Sequence, residues 1–350
     1  MNSMAGGSET GAQLFARLGS RPSLKALQNS LFGEVYPKPG DLIELSGESG
    51  TAKTEILMNI TVSCILPLEW KTYKLGGIGT GVVFVDTQCQ FSMLRVFSLL
   101  EKRVTRCIAS SHSSKVHGKC SEQDIQTVDK IVNSKLEDDG HATDKVKEHS
   151  CPPTAEEIEN FIKTCLEKLL IFRCNTSQQL LVTFHSLETL FANSLDISVL
   201  MVDNWSAFYW MDRASAGNHL SQVETIQQRM ISSLEKLLRD YHITAFVAKR
   251  PLFKSSVKRD KGPPTSGPSP SLSSSNLQPD DPKPSNQDFV SKDWNRILSQ
   301  KFQIQMSEQP ISTISSEVNL QTLFVASRIF PKPVITKTFF VSEIGLNFLS

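Results

Sequence analysis

The run Gly47-Glu48-Ser49-Gly50-Thr51-Ala52-Lys53-Thr54 follows the template G-x-x-x-x-G-K-[ST] except at one position, where Ala52 stands for the second glycine. That spacing suits phosphate chemistry. Small residues let backbone amides surround phosphate oxygens, a lysine supplies charge between the β and γ phosphates, and a hydroxyl faces Mg²⁺. These eight residues are candidate nucleotide ligands. The plainer reading is a glycine-containing turn of an ordinary α/β domain.

A phosphate loop also needs an acid at the end of a neighbouring buried strand, to hold Mg²⁺ directly or through water. Asp203, closing "ISVLMVD", is the candidate, and Thr54 supplies the other metal-side oxygen. A strand-end aspartate that caps the next turn is the plainer reading of Asp203.

Such residues work only if a strand precedes the loop and a helix follows it. Leu42, Ile43 and Leu45 supply the strand; Ile56, Leu57, Ile60, Thr61 and Cys64 fall at helical spacing, and Pro67 stops the run. "GVVFVDT" (81–87), "LLIFRC" (169–174), "ISVLMVD" (197–203) and "ITAFVAK" (243–249) are short apolar runs of the fully buried kind. Between them lie three helical stripes. The first is Ile158, Phe161, Ile162, Cys165, Leu166 and Leu169, started by a capping box of Thr154 and Glu157. Leu180, Phe184, Leu187 and Phe191 form the second, and Val223, Ile226, Met230, Leu234, Leu237 and Tyr241 the third. The alternation predicts an α/β fold, a mostly parallel central sheet with helices on both faces. "TLFVASRIF" and "KTFFVSEIGLNFL" close it as an antiparallel C-terminal edge.

Two polar stretches interrupt the pattern, at about 106–153 and at about 254–287, and both read as insertions too polar to order themselves. The expected organisation is a helical or linker segment over 1–35 followed by one nucleotide-binding domain over 36–350. With 350 residues and 39% apolar content the chain can bury a large core, and its net charge of +1 gives no global pull towards nucleic acid. Seven cysteines without a C-x-x-C pair fit reduced, buried thiols. His117 and Cys120 have no second pair to complete a zinc site. The opening residues carry no apolar leader region and no run is long enough to span a bilayer, so secretion and membrane insertion are not expected.

The segments "LFARLGSRPSLKALQNSLF", "AKTEILMNITVSCILP", "VVFVDTQCQFSMLRVFSLLE", "LLVTFHSLETLF" and "SAFYWMDR" resemble the short RecA-type recombinase paralogues, which lack the helical N-terminal DNA-binding domain of the full recombinases. The resemblance covers most of the chain outside the polar stretches. It implies a RecA-like P-loop core and a nuclear role in homologous recombination repair of double-strand breaks and stalled forks. The implied place is an end subunit of a paralogue complex, with the recombinase paralogue of type D and other RecA-type paralogues as partners and DNA reached through the complex.

The resemblance also marks departures. RecA-like enzymes place a water-activating glutamate two residues beyond the aspartate of the "FVDT" strand, and here that position is Gln88. An amide orients water but cannot take its proton. The family's γ-phosphate-sensing glutamine after the "ITAFVAK" strand is Arg250 here, followed by Pro251. Ala52 costs about 1–2 kcal/mol if its φ is positive, and nothing of the kind if it is helical. No catalytic residue is assigned, and ATP with Mg²⁺ is expected to bind weakly or vestigially. An autonomous P-loop ATPase or phosphotransferase is the competing reading.

For DNA, the family's first loop maps to 210–222, with Arg213 as its cation, and the second to the Ser/Pro-rich stretch with Lys254, Lys258, Arg259 and Lys261. A solvated linker is the plainer reading of the second. Leu14, Phe15, Leu18, Leu24, Leu27 and Leu31 form an amphipathic start that packs either on a paralogous subunit or on the protein's own core.

Overall fold

A computed structural model describes residues 11, 14, 15, 19, 21–29, 31–116, 153–217, 219–251, 292–307 and 322–349. The elements are β1 (Leu42–Ser46), α1 (Lys53–Ile65), β2 (Glu69–Trp70), β3 (Tyr73–Lys74), β4 (Gly81–Asp86), α2 (Met93–Val116), α3 (Ala155–Leu166), β5 (Leu169–Arg173), α4 (Ser177–Asn193), β6 (Ile197–Asp203), α5 (Tyr209–Ala216), α6 (Leu220–Tyr241), β7 (Thr244–Lys249), α7 (Lys292–Ile297), β8 (Gln300–Met306), β9 (Leu323–Phe330), β10 (Ile335–Ser342) and β11 (Gly345–Leu349).

Among the described residues the main sheet has the order β11-β10-β9-β8-β1-β7-β6-β4-β5. The strands from β8 to β5 in that order run parallel, and β9, β10 and β11 close the sheet antiparallel. Strands β1, β4, β6 and β7 are buried along their whole length, as a sheet covered on both faces requires. Side-chain alternation gives each face its own core. Ile43, Leu45, Phe84, Met201 and Phe246 pack with α1, α2 and α3, whereas Leu42, Val83, Leu200 and Val247 pack with α4, α6 and α7. The mostly parallel α/β sheet with an antiparallel C-terminal edge is thus the one the sequence predicts.

The helix signals hold with two corrections. Thr154 and Glu157 make the reciprocal capping box that starts α3, yet that helix ends at Leu166 and Leu169 opens β5. The stretch 210–222, expected as a loop, contains α5 and the start of α6. No glycine or proline interrupts Tyr209–Ala216, and Gly217, with φ of 52°, breaks the helix. Residues of the polar stretch from Arg106 continue α2 to Val116; 117–152, with His117 and Cys120, lie outside the described residues.

Arg21 fixes how the chain enters the fold. Its guanidinium donates to the carbonyls of Phe191, Ser194, Leu195, Ile197 and Tyr241 at 2.9–3.0 Å, binding the C-terminal ends of α4 and α6 to the start of β6. A cation there also meets the negative ends of two helices. From this anchor Leu24, Leu27, Leu31 and Phe32 enter the core beside α1, so of the two destinations open to the amphipathic start these residues take their own domain. Leu14 and Phe15 are exposed, and Leu18 lies outside the described residues. Cys64, Cys165 and Cys174 are buried free thiols, and burial pushes the first two up to about 12 and about 11.

Candidate nucleotide site

Because β1, β7, β6 and β4 are neighbours and parallel, the residues following them meet at one end of the sheet. The phosphate-loop turn leaves β1, Gln88 follows β4, Asp203 ends β6 and Arg250 follows β7. That end of an open α/β sheet is where ligands bind. The site is a cavity of about 600 Å³ lined by Ser49 through Glu55, Gln88, Gln90, Asp203, Asn204 and Arg250, with Phe324 and Val341 as an apolar wall.

The turn is built as the template requires. Gly47 is irreplaceable by shape: an added Cβ would lie 2.5 Å from the Ile304 carbonyl oxygen. Its N–H donates to the Lys249 carbonyl at 3.1 Å, tying the loop to β7. Gly50 has φ of 81°, and Ala52 has φ of 61° and ψ of 20°. The left-handed branch is therefore the one Ala52 occupies, and its methyl carries the steric cost a glycine avoids. As the residue capping α1, Ala52 has no side chain to bond the first helical amides. Those donors face the cavity end of the helix, an anion seat by composition and direction.

Lys53 Nζ donates to the carbonyls of Gly47 at 2.7 Å and Glu48 at 2.6 Å and to Thr51 Oγ1 at 3.2 Å. Burial holds its pKa below the ordinary lysine value, opposed by Asp203 and Glu48. Thr54 Oγ1 donates to Asp203 Oδ2 at 2.5 Å, bringing together the two oxygens expected on the metal side. Asp86, beside Asp203 in the β4–β6 register, accepts from the backbone N–H groups of Gln88, Gln90 and Phe91, each at 3.2 Å. It is spent on shaping the turn that carries Gln88. Gln88 itself is exposed at the cavity, and Arg250 reaches Glu48 across the mouth at 3.6 Å.

Burial pushes the Asp203 carboxyl above its ordinary value, against the Thr54 hydrogen bond, with Asp86 adding to the rise. An acid raised on folding stabilises the fold while protonated, and that contribution is lost as pH climbs from its ordinary value of 3.8 through the folded pKa. Asp203→Asn is therefore expected to raise the urea midpoint of the ligand-free chain at neutral pH, with the gain shrinking as pH falls through the folded pKa and gone below pH 3.8. The same substitution is expected to weaken Mg²⁺-dependent nucleotide binding. Paired urea titrations and fluorescent-nucleotide titrations across pH check both signs.

Three positioning groups carry no motif. Arg95 grips Glu55 through three contacts of 3.1–3.2 Å and donates to the carbonyls of Ser342 and Glu343, holding α1, α2 and the β10–β11 turn together behind the cavity. Trp294 donates to the buried Glu44 carboxylate at 2.6 Å, which also pairs with Lys301 at 2.9 Å. Ser206 Oγ bonds both the N–H and the carbonyl of Arg250, fixing where β7 ends. All three depend on partners distant in sequence, so no local pattern marks them. Arg213 is half-buried on α5, donating to the Tyr209 hydroxyl at 3.1 Å. Lys254, Lys258, Arg259 and Lys261 lie outside the described residues.

A mouse protein described as DNA repair protein XRCC2 is 29% identical over 341 residues, covering 97% of this chain and 97% of its own. Along nearly its whole length the chain is thus similar to an XRCC2-type repair protein. A second XRCC2-type relative, the Arabidopsis thaliana DNA repair protein XRCC2 homolog, is 24% identical over 333 residues, 90% of this chain and 81% of that one. Human DNA repair protein RAD51 homolog 2 matches a shorter part, 32% over 100 residues, 27% of this chain and 24% of its own. No protein-family model matches the chain. Among the described residues no helix is long and apolar enough to cross a membrane.

Proposed function

We propose that this XRCC2-type chain acts in homologous recombination repair of DNA as a non-motor RecA-type paralogue, an end subunit of a nuclear paralogue complex that assists strand-exchange filaments at breaks and stalled forks. The observation that carries the non-motor part is the cavity itself. It keeps Lys53, Thr54 and Asp203 together but presents Gln88 where a proton acceptor is needed. An amide there positions water without activating it.

The residues present fit ATP with Mg²⁺. Thr54 and Asp203 are hard oxygen donors in contact, the uncapped amides at the start of α1 suit phosphate, and Lys53 and Arg250 supply cationic charge. The nucleotide would bring the cleavable phosphoanhydride; the chain's own groups bind and orient it. Lys53 is already engaged with loop carbonyls and Ala52 is held at positive φ, which together weaken the seat. Arg250 in the sensing position replaces a neutral switch by a fixed charge paired to the loop.

RecA-type subunits join head to tail, and such a heterologous contact either propagates or ends in a cap. A subunit with a weak nucleotide site suits the cap, with the recombinase paralogue of type D as the neighbour and DNA contacted through the complex. The decisive experiment purifies the full chain alone and with that paralogue, and measures phosphate release and oligomeric state. Expected is turnover by the isolated chain no greater than that of Lys53→Ala, and a complex that survives the same substitution. Lys53-dependent turnover by the isolated chain would instead make it an autonomous P-loop enzyme.

A further inference from the structure

A second cavity, of about 280 Å³, adjoins the nucleotide cavity, and Gln88, Asn204 and Arg250 line both. Glu48, Ser206 and Trp210 are among its other walls. Trp210 is 53% exposed and Met211 beside it 55%, on a helix with no buried residue. Two large apolar side chains at a polar mouth point to a partner that covers them. Gln88 stands where the two cavities meet, and no acid of the described site is at liberty to take a proton there. Asp203 is bonded to Thr54, Glu55 is gripped by Arg95, and Asp86 accepts from three backbone amides.

The lining suits an anion. Asn204 accepts the Ser206 N–H at 2.9 Å with its carbonyl oxygen, which leaves its NH₂ to donate. Ser206 also holds the backbone of Arg250 through both its N–H and its carbonyl, so the guanidinium pivots from a fixed point on the rim. Among the described residues its acidic partner is Glu48 at 3.6 Å, and both side chains are more than half exposed. A pair so long and so open holds weakly. Lys53, by contrast, is spent on two loop carbonyls and the Thr51 hydroxyl. Arg250 is therefore the cation that a carboxylate entering this cavity would meet, and an entering lysine or arginine would meet a like charge.

We propose that this cavity receives an aspartate or glutamate side chain of a partner protein, which supplies in trans the proton acceptor that the chain lacks at Gln88. The partner segment carries an acid with an apolar neighbour. Its carboxylate displaces Glu48 from Arg250, and the apolar side chain covers Trp210 and Met211. The carboxylate takes a proton from the water that Gln88 orients while that water's oxygen bonds to the γ phosphorus; the bond from phosphorus to the bridging oxygen breaks, and its electron pair leaves with the diphosphate. The inference rests on the nucleotide reading of the neighbouring cavity and adds the chemistry of the partner. The isolated chain stays idle, and turnover belongs to the assembly.

The test uses the full chain, with acetate as the carboxylate probe and chloride at equal ionic strength as the control. Without nucleotide, acetate is expected to change the tryptophan emission saturably, a change lost in Trp210→Phe and in Arg250→Gln. With ATP and Mg²⁺, the same range of acetate raises phosphate release roughly ten-fold, less than a tethered carboxylate achieves because a free ion must be brought from solution. That rise is absent from Lys53→Ala and from Arg250→Gln and is kept in Trp210→Phe. Glu48→Gln lowers the acetate concentration for half effect by about two- to five-fold, the strength of an exposed ion pair. A merely structural glutamate would not shift it in that direction. The same response to chloride, or a rise in turnover that survives Arg250→Gln, overturns the proposal. A fluorescent ATP analogue titrated alongside separates the two readings. Analogue binding without acetate-dependent turnover overturns the acid in trans alone, and no analogue binding overturns the nucleotide site together with it.

Discussion

Arg21→Met is expected to lower the free energy of unfolding by on the order of 3–5 kcal/mol, one of the largest single-residue losses in the molecule. The side chain binds five backbone carbonyls at once, and methionine of similar length binds none. The bonds to Ile197 and Phe191 are fully buried, so their acceptors have no water to turn to. An unsatisfied buried carbonyl costs about 1–3 kcal/mol, more when the lost partner was charged. The effect should also spread, because Leu24 and Leu27 follow the anchor into the core beside α1, the helix that carries Lys53 and Thr54. Arg21→Lys retains a charge at the helix ends but cannot fork to five acceptors, so it recovers only part of the loss. Urea unfolding with hydrogen exchange around residues 194–197 would show both effects. An unchanged midpoint in Arg21→Met would mean that this entry segment is not docked.

Arg21 also marks the limit of reading a fold from sequence. Strands β1, β4, β5, β6 and β7 are apolar runs with a local signature, and Leu180, Phe184, Leu187 and Phe191 announce α4 by spacing alone. A guanidinium whose acceptors lie 170 or more residues away leaves no local trace. Strand β8 was missed for a different reason. Gln300, Gln303 and Gln305 make Gln300–Met306 look polar, although Phe302 and Ile304 are buried at period two and mark a strand. Helix α5 was hidden by family mapping, which assigned its residues to a loop. In the site, the loop, Lys53, Thr54 and Asp203 were legible because motif chemistry demands fixed residue types. The conformation of Ala52 was not, since residue type alone leaves both branches of φ open; the 61° observed depends on how β1 hands the chain to α1.

The second large effect concerns what that site has lost. Gln88→Glu is expected to raise phosphate release by the full chain on the order of 100-fold, towards the lower end of what a positioned general base supplies. The introduced carboxylate would sit on an exposed side chain at the cavity, free to ionise at neutral pH, whereas Asp86 is spent on three backbone amides. The gain should be in kcat and not in nucleotide affinity, because amide and carboxylate differ in accepting a proton only as the bond to water forms. Ala52→Gly separates a different contribution. It removes a positive-φ methyl that costs about 1–2 kcal/mol, partly offset by the freer unfolded glycine, so it raises the urea midpoint without creating turnover. Combined, the two substitutions should give a more stable chain with the turnover of Gln88→Glu alone, their effects adding because one acts on the backbone and the other on the reacting water. No rise in Gln88→Glu over Lys53→Ala would place the block elsewhere in the cavity. Arg250 would then be the residue to exchange, since it holds a fixed charge against Glu48 at the mouth.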